Sequence, residues 1–318
     1  MLENITMASS ANMKVGVIGG DLRQLVAAQA IAEAGYETAV YGSDNYEGEL
    51  GMAIRCVNLG DAVNKSDFLL LPLPYSLDGI HVNTPLSNTE IHLSDVFGKL
   101  TSGQTVLVGK INDEELQDIQ NMICHTDKAN IKIIDYYERE DLTILNSLPT
   151  AEGAINIAMQ EIPGTISNSK ALIMGYGRIG KLLAHKLCAL GADIRISARK
   201  PEDLAWIEAF GYSAVTYNEI DGCLHEFDVI FNTVPSLLLD ETRLRNIKKD
   251  CVIIDLASNP GGIDFMAAKN LGRNVIWALS LPGKYAPLTA GKILARTLKM
   301  IMEDETEAEE KEAREVII

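Results

Sequence analysis

Short apolar runs alternate along this chain with longer segments in which leucine, isoleucine and alanine return every third or fourth position. The runs read as buried strands and the longer segments as helices, because a strand covered on both faces is continuously apolar and a surface helix is apolar along one stripe. Residues 14–19 (KVGVIG) predict a strand, 25–34 a helix and 37–41 a second strand. Further strands are expected at 67–73 (DFLLLPL), 104–108 (QTVLV) and 131–135. The segment 146–150 (NSLPT) interrupts the pattern, and 151–161 then has helical periodicity that stops at Pro163 and Gly164, as a crossover helix between two domains would. Beyond it, strands are expected at 171–174, 193–197, 229–232, 252–256 and 275–278, with a helix over 181–190. After Pro287, a helix over 289–302 is expected to pack back on the first half, and the tail beyond it to fray.

Alternation of this kind argues an α/β protein of two Rossmann-like domains, each a doubly wound parallel sheet covered by helices, joined by crossover helices with a ligand cleft between them. The length of 318 residues fits two domains. The expected division is an α/β substrate and catalytic domain over 1–149, a dinucleotide-binding domain over 150–286, the returning helix over 287–304 and an acidic tail over 305–318.

Charge narrows the partners. Twenty-eight Lys and Arg face 44 Asp and Glu, a net charge of −16, which argues against nucleic acid or an anionic membrane. Residues 303–315 alone hold eight acids and two bases, so cations elsewhere carry more information than usual. Cys56, Cys124, Cys188, Cys223 and Cys251 are widely spaced, with no CxxC; they suit a reducing compartment and are expected to be small buried side chains. The first residues show neither a basic nor an apolar leader pattern and no run approaches a membrane span, so a cytoplasmic location is expected.

The sequence Gly175-Tyr176-Gly177-Arg178-Ile179-Gly180 falls between a predicted strand and a predicted helix. That order makes G-x-G-x-x-G a dinucleotide signature: Gly175 for the sharp turn, Gly177 for close approach of a pyrophosphate, Gly180 for tight helix packing, with the helix amides facing the anion. An NAD site wants Asp or Glu at the end of the next strand. Here the chain reads Ser197-Ala198-Arg199-Lys200, so Arg199 and Lys200 are either solvated surface charges or partners of a 2'-phosphate. NADP is favoured over NAD. The loops after the later strands, carrying Thr233, Val234 and Pro235, then Ala257, Ser258, Gly261 and Gly262, then Pro282, Lys284 and Tyr285, are expected to line the nicotinamide side.

The first strand also leads into a glycine turn, but Asp21 stands where the second glycine should be and Gln24 where the third should be. An acidic side chain there obstructs a pyrophosphate, so this turn is expected to face substrate. His81, His92, His125, His185 and His225 show no metal-ligand spacing, and no metal is expected; His81 is a candidate acid or base.

IGGDLRQ at 18–24, LPTAEGAI at 148–155, GYGRIGK at 175–181, NTVPS at 232–236, DLASNPGGIDF at 255–265 and LPGKYAPLTAGKIL at 281–294 together resemble the A subunits of dipicolinate synthase. The resemblance implies an oxidoreductase acting on a CH–CH bond, which oxidises dihydrodipicolinate to dipicolinate with NADP as hydride acceptor. It further implies the mother-cell cytoplasm of a sporulating bacterium and, as partner, a flavoprotein-like B subunit; a homo-oligomer is also expected. A cyclic dicarboxylate substrate calls for cations or N–H donors, for which the candidates are Arg23 with the Asp21 turn and Gln24, and Lys284 with Tyr285, Ser258 or the Gly261 and Gly262 backbone. Arg23 and Lys284 are the catalytic candidates beside His81, with ordinary surface charge as the alternative for both. Thr150 and Glu152 are either site residues or a helix cap and first-turn acid. A dehydrogenase of another amino or hydroxy acid, or an NADP-binding regulatory or scaffold subunit, remains open from the residues alone.

Overall fold

A computed structural model of the protein describes residues 13–124 and 130–316; His125 and the first twelve residues, with the expectations that rest on them, lie outside the described residues. The chain divides into two compact units, one running through Thr143 and resuming at Pro287, the other Ile144–Ala286.

In the first unit the elements are β1 (Lys14–Ile18), α1 (Leu22–Glu33), β2 (Glu37–Tyr41), β3 (Ile54–Arg55), α2 (Leu59–Val63), β4 (Phe68–Leu70), α3 (Leu93–Gly98), β5 (Thr105–Val108), α4 (Asp113–Cys124) and β6 (Lys132–Asp135). Helix α5 (Glu140–Glu161) carries the chain into the second unit. There follow β7 (Lys170–Met174), α6 (Arg178–Ala189), β8 (Asp193–Ala198), α7 (Pro201–Ala209), β9 (Ser213–Thr216), β10 (Val229–Asn232), α8 (Glu241–Asn246), β11 (Val252–Asp255), α9 (Phe265–Asn270), β12 (Asn274–Trp277) and α10 (Leu281–Tyr285). The final helix, α11, spans Pro287–Val316.

Each unit has one six-stranded sheet, ordered β3-β2-β1-β4-β5-β6 and β12-β11-β10-β7-β8-β9. Every strand pair is parallel. Counted within its own unit, each sheet has the order 3-2-1-4-5-6 of a doubly wound dinucleotide fold, so the expected fold class is borne out twice over. Period-two alternation sends neighbouring strand residues to opposite faces. Ala171 and Ile173 pack with Leu183 and Leu187 of α6, whereas Leu172 and Met174 pack with Leu244 of α8. In the first unit Val15, Val17 and Leu70 share a core with Leu294, Leu298 and Met302 of α11; Leu69, Leu71 and Val106 share the other with Phe97.

Three expectations need correction. Residues 146–150 do not break the chain: Pro149 lies inside α5, and Thr150, no helix cap, donates its hydroxyl to the Asn146 carbonyl (2.9 Å). Proline removes one intrahelical donor but does not oblige a helix to end, and a back-bonded threonine is at home in a bent helix. Residues 281–285 form α10 rather than a loop. The tail after Met302 continues as helix to Val316 instead of fraying. Its first half is docked, which removes the nucleation cost, and Lys132 and Arg139 pair with Glu305 (2.8 Å) and Asp304 (3.3 Å). The edge strands β3 and β9 were not expected; each pairs with one neighbour only.

Of the thiols, Cys223 and Cys251 are buried, with burial pushing Cys251 up to about 12, while Cys56 is half-buried and Cys188 exposed. Burial therefore holds for two of these four. No helix among the described residues is long and apolar enough to cross a membrane.

Candidate dinucleotide-binding site

The site begins where β7 ends. Gly175 has φ +99°, a conformation that favours glycine, and a Cβ there would strike Thr233 Oγ1 and come within 2.8 Å of Val234 Cγ2. Gly177 is the N-cap of α6, and a Cβ there would meet nothing within 4 Å. A Cβ on Gly180 would collide with the Gly175 carbonyl oxygen. The first and third glycines are therefore fixed by packing, while the second leaves open space over the first turn of a twelve-residue helix whose amides face it. Tyr176 is buried beneath the turn and Ile179 packs on the same core. Arg178 is exposed at the first helical position.

Register sets the C-terminal edge of the sheet in a row: Ser197, Met174, Asn232, Asp255, Trp277. Ser197 is fully buried and its Oγ has no hydrogen-bond partner among the described residues. Just past it Arg199 and Lys200 are exposed, and their side chains make no ion pair or hydrogen bond among the described contacts. On the other side of Gly175, Thr233 donates its hydroxyl to Met174 O (2.9 Å), half-buried next to Val234, with Pro235 exposed. These features fit a nicotinamide dinucleotide: an uncovered helix N-terminus for the pyrophosphate, and two unpaired cations where an extra phosphate would lie.

The matching turn of the first unit is filled by its own chain. Asp21 caps α1, accepting from the Arg23 amide (2.9 Å) and from Arg23 Nε (2.9 and 3.0 Å). Arg23 Nη2 also reaches Asp21 (2.9 Å) and donates to Leu73 O (2.8 Å), leaving Nη1 uncommitted. Gly20 donates its N–H to Asn83 O (2.9 Å), and a Cβ on Gly19 would meet Thr84 Cγ2 at 2.7 Å. Gln24 is buried, with Nε2 on Leu71 O (3.0 Å), so it faces the core.

The remaining candidates are dispersed. His81 Nδ1–H donates to Asp78 Oδ2 (2.8 Å), which raises the imidazole pKa, and its ring lies 4.4 Å from that of His92. Glu152 pairs with Lys186 Nζ (2.8 Å). Ser258 is exposed, but the Gly261 and Gly262 amides are spent inside their loop, donating to Ser258 O (2.8 Å) and Asp255 Oδ2 (2.9 Å). In α10, Pro282 is buried, Lys284 is exposed with no ion pair for its ammonium among the described residues, and the Tyr285 ring lies against Gly153. Among the described residues no three His, Cys, Asp or Glu side chains gather as a metal-ligand group. Two residues not among the expected site residues, Asn232 and Asp255, sit at the ends of two strands and bond to each other (2.8 Å).

Fold and site together define an α/β dehydrogenase-type protein whose second unit binds a nicotinamide dinucleotide. Residues 150–260 match the family described as D-isomer specific 2-hydroxyacid dehydrogenase, NAD binding domain. Residues 14–137 match the N-terminal domain family of the dipicolinate synthase A subunit. The chain is 33% identical over 299 residues to the A subunit of dipicolinate synthase from Bacillus subtilis (strain 168), covering 94% of this chain and 98% of that protein. Crystal structures of the A subunit of dipicolinate synthase superpose with TM-scores of 0.82 for Bacillus halodurans and 0.81 for Bacillus subtilis. The first is 31% identical, covering 92% of this chain and 98% of that one; the second is 33% identical, covering 93% and 97%. The chain belongs to the family of dipicolinate synthase A subunits, as its motifs indicated.

Proposed function

We propose that this protein oxidises dihydrodipicolinate to dipicolinate with NADP as acceptor, working with a dipicolinate synthase B subunit in the mother-cell cytoplasm of a sporulating bacterium. The observation that carries the reading is the contrast between the two glycine turns: Asp21 and Arg23 fill one, whereas Gly177 leaves the other open. The α6 N-terminus holds the pyrophosphate, and Arg199 and Lys200 select the 2'-phosphate. When bound, the nicotinamide supplies the hydride acceptor.

Loss of a hydride and a proton turns the dihydropyridine ring aromatic, so the driving force resides in the substrate and the protein's task is chiefly positioning. We assign a substrate carboxylate to a cation with donors to spare, Arg23 Nη1 in the first unit or Lys284 Nζ in the second, with Tyr285, Ser258 and Thr150 as secondary donors; Glu152, an anion paired with Lys186, is left out. His81, in its neutral form with Nδ1–H held by Asp78, is assigned the departing proton at Nε2.

Mixing the protein with NADP+ and freshly prepared dihydrodipicolinate, with and without the B subunit, should produce reduced-nicotinamide absorbance in at least one arm. Absence of NADPH in both, with the protein folded, contradicts the proposal; reduction of cofactor by alanine, lactate or glycerate instead would move the assignment to another acid.

A further inference from the structure

A fully buried carboxylate with no ion pair among the described residues needs a reason. Asp255 and Asn232 are both 0% exposed, in adjacent strands at the row that ends the second sheet. Asp255 Oδ1 accepts from Asn232 Nδ2 (2.8 Å) and from the Ala257 amide (3.0 Å), and Oδ2 from the Gly262 amide (2.9 Å). Asn232 brackets Val234, donating to its carbonyl (3.0 Å) and accepting from its amide (3.2 Å). The Gly262 carbonyl in turn receives the Leu238 and Leu239 amides (2.9 and 3.1 Å), and Trp277 Nε1 donates to Ala257 O (3.0 Å). One carboxylate thus fastens the loops that follow β10 and β11, and an indole ties on the strand beside them. Closeness is enforced sterically: a Cβ on Gly262 would overlap Asn232 Nδ2, and one on Gly261 would lie 2.8 Å from Asp255 Oδ2.

Burying a charge is costly unless its lone pairs are used, and apolar side chains would fill the same volume more cheaply. What the pair supplies is geometry. Val234 and Thr233 abut Gly175, so the loop set by Asn232 borders the dinucleotide turn on its β10 side, away from Arg199 just past the end of β8. We infer that Asp255 is a positioning residue that holds the 233–236 and 256–262 loops in place for the nicotinamide half of the cofactor, without touching the adenosine half. The inference rests on the proposed cofactor site.

Asp255→Asn puts an amino group against the Ala257 or Gly262 N–H. Calorimetric titration with NADP+ and with an adenosine fragment carrying the 2'-phosphate separates the two halves of the site. For Asp255→Asn the Kd for NADP+ should rise about tenfold, the cost of stranding one buried donor, while the Kd for the fragment stays within about twofold. Retained fragment binding also certifies that the variant is folded. Should it not fold, Asn232→Ser, which releases Val234, should show the same split. Equal weakening of both ligands, or of neither, overturns the inference while leaving the cofactor reading standing. Wild-type protein that binds neither ligand overturns that reading and the inference with it.

Discussion

Gly177 and Gly180 stand three residues apart and are required for opposite reasons. At Gly177 an added side chain meets open space, so Gly177→Val should leave the melting temperature nearly unchanged and abolish dinucleotide binding. Gly180→Ala forces a methyl into a backbone carbonyl and should cost about 1–3 kcal/mol of stability. Thermal melts with cofactor titration distinguish them; a large loss of stability at Gly177 would mean that its role is packing. Arg199→Ala should weaken NADP far more than NAD, and equal loss would make Arg199 scaffolding.

His81 gives a pH-dependent prediction. Its hydrogen bond with Asp78 raises the imidazole pKa, while His81 and the His81 and Ile80 amides hold Asp78 well below the usual carboxylate range. The ion pair therefore persists between those limits, lost as pH rises through the raised His81 value and as it falls through the lowered Asp78 value. An NMR titration should show the His81 midpoint fall in Asp78→Asn; an unmoved midpoint contradicts the pairing. Glycines and basic residues were legible in the sequence because their chemistry is local. Asn232 and Asp255 were not, since each only ends an apolar run and takes its meaning from a partner in the next strand.

At the scale of elements, strands buried on both faces announced themselves by continuous apolar runs, which is why β10 falls on the expected residues. The short edge strands β3 and β9 are half-buried or exposed and carry little such signal. Pro149 does not end α5 because tertiary packing holds the helix through it: Ala151, Ala154, Ile155 and Ala158 are buried in the second unit's core. Helix α11 docks on α1 through Ala290, Leu294, Leu298, Ile301 and Met302, at the helical spacing of one apolar stripe. Gly291 lets the two backbones approach, a Cβ there lying 2.6 Å from both Arg23 O and Val26 Cβ. Gly291→Leu should therefore lower stability by about 1–3 kcal/mol in a denaturant titration. An unaffected midpoint would show that the α11 contact is dispensable.

The whole molecule presents the same sheet order twice with the functions of the two turns exchanged. In one unit the helix N-terminus is capped by Asp21, whose charge is in turn paired with Arg23; in the other it ends at a bare glycine. In a chain carrying a net charge of −16, an anionic cofactor needs such local relief, and Arg199 and Lys200 are placed beside the open turn and not beside the filled one. A crystal structure of the protein soaked with NADP+ tests this most directly. Pyrophosphate density is expected over Gly177 and the first turn of α6, with the 2'-phosphate against Arg199; density beside Asp21, with nothing over Gly177, would contradict the exchange of roles.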